Sequence, residues 1–146
     1  MVTYHKAHTG LIALMVAAIV SLGFWANPAG AEDCKQTTKS LRGDYEVLQA
    51  DGGLWRFMEK SSRLKKDSMI GFQIDTKIQR LVVHLEGLCN NGKSLPADLL
   101  KDTTAQMDMA RSINNKSTER TPAKKLLKML TALNDNLNQV LQKHGL

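Results

Sequence analysis

The chain has 146 residues, with 20 lysines and arginines, 14 aspartates and glutamates, and a net charge of +6. This length suits one domain with one hydrophobic core, and a second domain is not expected. Charges of both signs are interspersed, as in Arg56, Glu59, Lys60 and Asp67. That pattern indicates solvated helix faces and argues against a nucleic-acid or membrane-binding patch.

Residues 1–31 have the three-part layout of a secretory signal peptide. Lys6 precedes an apolar run from Leu11 to Trp25, and small residues occupy positions 29 and 31. The run has about 15 residues, whereas a helix that crosses a bilayer needs about 20. We therefore predict cleavage before Glu32, with an uncleaved anchor as the alternative. The mature chain, 32–146, would be a periplasmic domain without a membrane span, with a net charge of +5 because residues 1–31 contain one lysine and no acid.

Both cysteines, Cys34 and Cys89, lie in this mature part. An exported chain meets an oxidising compartment, so an even pair of cysteines predicts a disulfide. Cysteines so far apart in sequence make a poor metal site without nearby histidine or acidic partners.

The first mature segment has helical spacing with an interruption. Leu41, Tyr45 and Leu48 share one face, and apolar residues resume between Leu54 and Leu64. Between them stands Asp51-Gly52-Gly53. Two glycines inside a helix cost about 1 kcal/mol each, so we predict a break or kink there.

Three further helices follow. The first carries an apolar stripe from Ile74 to Leu88 and ends near Asn90-Asn91-Gly92. The second follows Pro96 and ends near Asn114-Asn115. The last begins at Pro122 with Thr121 as its cap, and ends at Gly145. Its apolar face consists of Leu126, Leu130, Leu133, Leu137 and Val140.

Together these elements predict an all-α fold. The expected arrangement is an up-and-down antiparallel four-helix bundle, because short connections favour antiparallel neighbours. In this arrangement Cys34, near the start of the first helix, meets Cys89, near the end of the next.

No pattern of catalytic or metal-ligating residues is evident. His84 and His144 each lack a second ligand at the spacing typical of helical metal sites. Neither a Cys-x-x-Cys-His nor a Glu-x-x-His motif occurs. Met107 and Met109 are two positions apart on a helix and point in different directions. The sequence therefore predicts no catalytic, cofactor-binding or metal-binding residues and no enzymatic activity.

Two stretches resemble the soluble periplasmic cytochrome b-562 family. The first is Leu41, Tyr45, Val47 and Leu48, followed by Ala50-Asp51. The second comprises Gln106-Met107-Asp108, Ala110, Ile113, Ala123-Lys124, Leu127, Leu130 and Leu133. The segment between Leu54 and Pro96 has no secure counterpart. The resemblance implies an exported four-helix bundle.

Cytochromes of this family hold haem between a methionine early in the first helix and a histidine late in the last. The matching positions here are Thr38 and about Asn138, neither of which is an ordinary ligand of haem iron. The resemblance therefore implies the fold and the compartment without the haem.

These observations predict a cofactor-free, disulfide-linked periplasmic bundle that acts by binding. Its partner is either another envelope protein or a small apolar ligand between helices. The alternative is a haem-binding electron carrier that uses other ligands, such as Met58 or Met107 with His84.

Overall fold

The computed structural model describes residues 29–118 and 121–146. Within these ranges the chain is α-helical, with short connections and no strand. The expectation of an all-α fold is confirmed. The predicted signal peptide lies almost wholly outside the described residues, which begin at Ala29 in the first helix.

Four helices are long and one is short. They are α1 (Ala29–Gln49), α2 (Gly53–Lys60), α3 (Ser68–Asn90), α4 (Ala97–Thr118) and α5 (Ala123–Lys143). Only α2 is short, with 8 residues, and a single 3-10 turn at Lys65–Asp67 joins it to α3. No helix in the described part of the chain is long and apolar enough to cross a membrane.

The predicted break between α1 and α2 is present, and its backbone explains why glycine stands there. Gly52 and Gly53 have φ angles of +87° and +68°, in the left-handed region that favours glycine. The segment after the break packs chiefly on α3 and does not continue α1 as part of the same layer.

Two predicted helix ends are corrected by the structure. Thr121 does not cap α5: Pro122 occupies the N-cap position, without a side-chain cap, and the helix begins at Ala123. Helix α4 runs beyond Asn114-Asn115 to Thr118, because asparagine lowers helix propensity only slightly and does not by itself end a helix. The predicted ends at Gly92 and Gly145 are confirmed, with φ near +68° at both.

Aliphatic side chains from all five helices form one core. The predicted stripe of α5 is buried throughout. On α3 the buried residues include Ile74, Ile78, Leu81 and Leu85, while the predicted Leu88 is only half-buried. Met58 of α2 and Met107 of α4 are also inside. The burial of these faces accounts for the helical spacing of the sequence.

Contacts between helices define their relative directions. Helices α1 and α3 run antiparallel, since Cys34 lies beside Cys89 and Gln49 bonds to Asp75. Helices α4 and α5 also run antiparallel, since Asp102 bonds to His144, and Met109 lies beside Asn136.

Helices α1 and α4 run in the same direction. The chain just before α4 passes the start of α1, where the Lys93 carbonyl oxygen lies 3.7 Å from Cys34 Sγ. Further along, Asp44 pairs with Arg111 at 3.2 Å. Helices α1 and α5 each pack on α3 and α4 but not on each other, so they lie at opposite corners.

Candidate binding groove

An open groove of about 580 Å³ lies at the surface between α3 and α5. We call it the α3–α5 groove. Its lining consists of Phe72, Gln73, Thr76, Lys77, Arg80, Asn138, Leu141, Gln142 and Leu146.

Polar contacts link the two helices beside the groove. Asn134 of α5 accepts a hydrogen bond from Lys77 Nζ at 2.6 Å and donates one to Gln73 Oε1 at 3.2 Å. Partial burial lowers the pKa of Lys77, an effect that the nearby Asp135 carboxylate opposes. These bonds hold the side chain of Lys77 in a defined position at the edge of the groove.

The apolar part of the groove comes from both helices. Phe72 is 50% exposed and meets the ring of Trp55 edge-on, with centroids 6.3 Å apart. Leu146 lies beyond the end of α5, but the turn at Gly145 brings it back, and its N–H bonds to the carbonyl oxygen of Leu141 at 2.9 Å. The C-terminal turn thus adds an aliphatic side chain to the groove.

The charged lining of this groove is entirely basic. Arg80 is exposed and forms no ion pair with any described residue. No aspartate or glutamate belongs to the described lining. A second groove, between α1 and α4, is lined by Asp44 and by hydroxyl groups, and so lacks this charge pattern. The α3–α5 groove can accommodate an apolar body together with an anionic group.

The predicted cysteine pair is brought together at one end of α1 and α3. Cys34 and Cys89 lie at disulfide-bonding distance, with Cα atoms 5.7 Å apart, and both are buried. On the same two helices, Arg42 of α1 donates a hydrogen bond to Glu86 Oε1 of α3 at 2.7 Å, which raises the pKa of Arg42. Cys34 meets Cys89 because α1 and α3, the helices that carry them, run antiparallel.

The two histidines lie on different helices. His84 is half-buried on α3. His144 is also half-buried, and its Nε2 lies 2.9 Å from Asp102 Oδ2, which also accepts a bond from Lys143 Nζ at 2.7 Å. These two bonds lower the pKa of Asp102. Among the described residues no cluster of three or more histidine, cysteine or acidic side chains could hold a metal ion.

The residues considered for haem binding lie on five different helices. Thr38 is buried on α1 and donates its hydroxyl to the Cys34 carbonyl oxygen, whereas Asn138 is exposed on α5. Met58 and Met107 both belong to the aliphatic core, and His84 does not. Met109, unlike Met107, is exposed, so these two methionines point in different directions as expected.

Comparisons with protein-family models, with curated proteins and with solved structures each found no match. The candidate site is therefore defined by its own residues.

Sequence reasoning did not single out this groove. One signal was available: Phe72 is a large apolar residue that lies off the stripe formed by Ile74, Ile78 and Leu81. Apolar residues on the face of a helix opposite to its core are candidates for binding. No local sequence pattern indicates that this face of α3 lies next to α5.

Proposed function

We propose that this protein is an exported, non-enzymatic binding protein, a cytochrome b-562-like up-and-down four-helix bundle without haem. Its ligand site is the α3–α5 groove, and its ligand has an apolar body and one anionic group. The periplasm is the proposed location, after removal of residues 1–31. The chain directions of α1, α3, α4 and α5 alternate, which supports the up-and-down order. The corner positions differ from a bundle in which all neighbours are antiparallel, because α1 and α5 lie at opposite corners and α3 packs on α5, which runs in the same direction.

One observation carries the proposed ligand class: the exposed Phe72, the half-buried Leu146 and Arg80, which forms no ion pair with a described residue, line the same groove. Burial of a fatty-acid chain against Phe72 and Leu146 would remove apolar surface from water. Arg80 can then donate a charge-assisted hydrogen bond to the carboxylate. Such a ligand fits the hypothesis of a small apolar molecule bound between helices.

The test is a fluorescence titration with cis-parinaric acid and, separately, with its uncharged methyl ester. We expect Arg80→Gln to weaken binding of the acid by roughly tenfold, the value of one hydrogen bond to a charged group, and to leave the ester unaffected. Phe72→Ala should weaken both. Arg63→Gln removes the same charge from an exposed position outside the groove and serves as the control.

Failure of both probes to bind the wild-type protein would refute the proposed ligand class. Equal weakening by Arg80→Gln and Arg63→Gln would show that only net charge matters, and would remove the groove from the proposal. The haem alternative is tested in the same preparation by adding haem. A stoichiometric Soret shift that is lost on substitution of His84 would replace our proposal with an electron carrier.

A further inference from the structure

The basic residues of this chain are interspersed with acids in sequence order, but the fold gathers an excess of them at one end. We define the basic end as residues 51–67, 114–118 and 123–128. It contains nine basic and three acidic residues, a net charge of +6. The rest of 32–146 contains ten basic and eleven acidic residues, a net charge of −1.

The three segments of the basic end are neighbours because of how the helices run. Gln49, at the end of α1, bonds to Asp75 near the start of α3, and α2 lies between these two helices. Lys60 of α2 lines a pocket with Asn114, near the end of α4. Helix α5 begins shortly after α4 ends.

The basic side chains of this end are available to a partner. Eight are exposed and Lys116 is half-buried, and no ion pair involving any of them occurs among the described residues. The exposed ones are Arg56, Lys60, Arg63, Lys65, Lys66, Lys124, Lys125 and Lys128. An end with this charge attracts an anionic surface.

Apolar side chains adjoin these cations. Met69 is 62% exposed, Phe72 50% and Trp55 38%, and the rings of Phe72 and Trp55 are in contact. Trp55 immediately precedes Arg56, and Met69 follows the 3-10 turn that carries Lys65 and Lys66. Exposed aromatic residues beside lysines are suited to the interface between lipid headgroups and acyl chains.

We propose that the basic end docks on a membrane surface that contains anionic phospholipid, with Trp55, Phe72 and Met69 entering the headgroup region. The clustered charge supplies the attraction to phosphate groups, and the apolar trio favours a bilayer over a soluble polyanion. Docking of this kind is peripheral and involves no spanning helix. Phe72 also lines the α3–α5 groove, but the inference rests on the basic residues of this end and on Trp55 and Met69, and not on the ligand proposed for the groove.

The first experiment measures co-sedimentation with vesicles of phosphatidylcholine alone, or mixed with phosphatidylglycerol. We expect binding to the mixed vesicles only, and weaker binding as salt is raised. Each basic residue near such a surface contributes roughly fivefold to partitioning, so removal of three should weaken it roughly a hundredfold. The variant that removes them combines Lys65→Gln, Lys66→Gln and Lys125→Gln.

The matched control removes three exposed lysines from outside the basic end: Lys39→Gln, Lys93→Gln and Lys101→Gln. It has the same net charge as the first variant and should bind almost as the wild type does. All forms are recovered from cells in the same way, and mass spectrometry verifies that they share one N terminus. Circular dichroism checks that each is folded.

The second experiment follows the emission of Trp55. The chain has two tryptophans, so Trp25→Phe leaves Trp55 as the single indole whatever the N terminus. A shift to shorter wavelength with mixed vesicles is expected, because the ring leaves water. No binding to mixed vesicles, or equal weakening in both triple variants, would overturn the proposal. Equally tight binding to duplex DNA without an emission shift would overturn it too, and would indicate a soluble polyanion.

Discussion

Asp75 caps a helix to which it does not belong. Gly52 occupies the N-cap position of helix α2 and Gly53 is its first residue, so no side chain at its start can accept hydrogen bonds from its first N–H groups. Asp75 of α3 supplies this function: its carboxylate accepts from Leu54 N at 3.2 Å and from Trp55 N at 3.0 Å. Burial raises the pKa of Asp75, and these bonds oppose that rise.

We predict that Asp75→Asn lowers the free energy of unfolding by about 1–2 kcal/mol, because Leu54 N and Trp55 N bond to different carboxylate oxygens and the amide has only one oxygen to accept them. Because the pKa of Asp75 is raised by folding, the folded state binds its proton more tightly than the unfolded state does. Stability from this group therefore increases as pH falls through the raised pKa. The difference in the free energy of unfolding between wild type and variant should therefore increase as the pH is lowered.

Urea denaturation at several pH values measures both effects. Asp51→Asn, at an exposed position in the preceding turn, is the control and should have little effect at any pH. If the difference in the free energy of unfolding between wild type and Asp75→Asn instead becomes smaller as the pH is lowered, the pKa of Asp75 is lowered by folding and the prediction is wrong.

At the scale of elements, the docking of α2 on α3 depends on a close backbone approach. A Cβ atom at Gly71 would lie 2.7 Å from the backbone nitrogen of Trp55 and 2.8 Å from the carbonyl group of Leu54. A Cβ at Gly53 would lie within 2.4 Å of the Asp75 carboxylate. These glycines allow α2 to reach its cap.

We predict that Gly71→Ala destabilises the protein by about 1–3 kcal/mol, since the added methyl group meets backbone atoms that cannot rotate away. Gly87→Ala, on the same helix, is the matched control because its Cβ would meet nothing within 4 Å. It should stabilise the protein by about 0.5–1 kcal/mol through helix propensity. Chemical denaturation measures the free energy of unfolding of both variants. If the two substitutions change it in the same direction, the close approach of α2 to α3 at Gly71 is contradicted.

Most of the helices could be predicted from the sequence. The stripe of leucines in α5 and that of Ile74, Ile78 and Leu81 in α3 follow from burial of one helix face. Their ends follow from glycines with positive φ. Sequence reasoning placed the cap of α5 at Thr121 because threonine accepts hydrogen bonds well, but its hydroxyl is not used in this way. The cap of α2 was missed because Asp75 is more than 20 positions away.

At the scale of the whole molecule, the cysteine pair joins the first described helix to the third. The separation of 55 residues means that a disulfide would close a long loop of the unfolded chain. Both cysteines are buried, at the end of the molecule that holds the starts of α1 and α4.

We predict that Cys34→Ser lowers the stability of the oxidised protein by about 2–4 kcal/mol, because the unfolded chain regains the freedom that the disulfide removes. Thermal melting with and without a reducing agent measures this. The reduced wild type is the control and should melt close to the variant. Identical melting of the variant and the oxidised wild type would refute the disulfide.

The sequence by itself determined the helical class, the faces that are buried and the helix ends at Gly92 and Gly145. These features depend on residues within one or two turns of each other. Only the tertiary structure decided where α2 docks, which helix face borders the α3–α5 groove, and that the excess positive charge lies at one end. Each of these joins residues that are tens of positions apart, and no local periodicity specifies which of them meet.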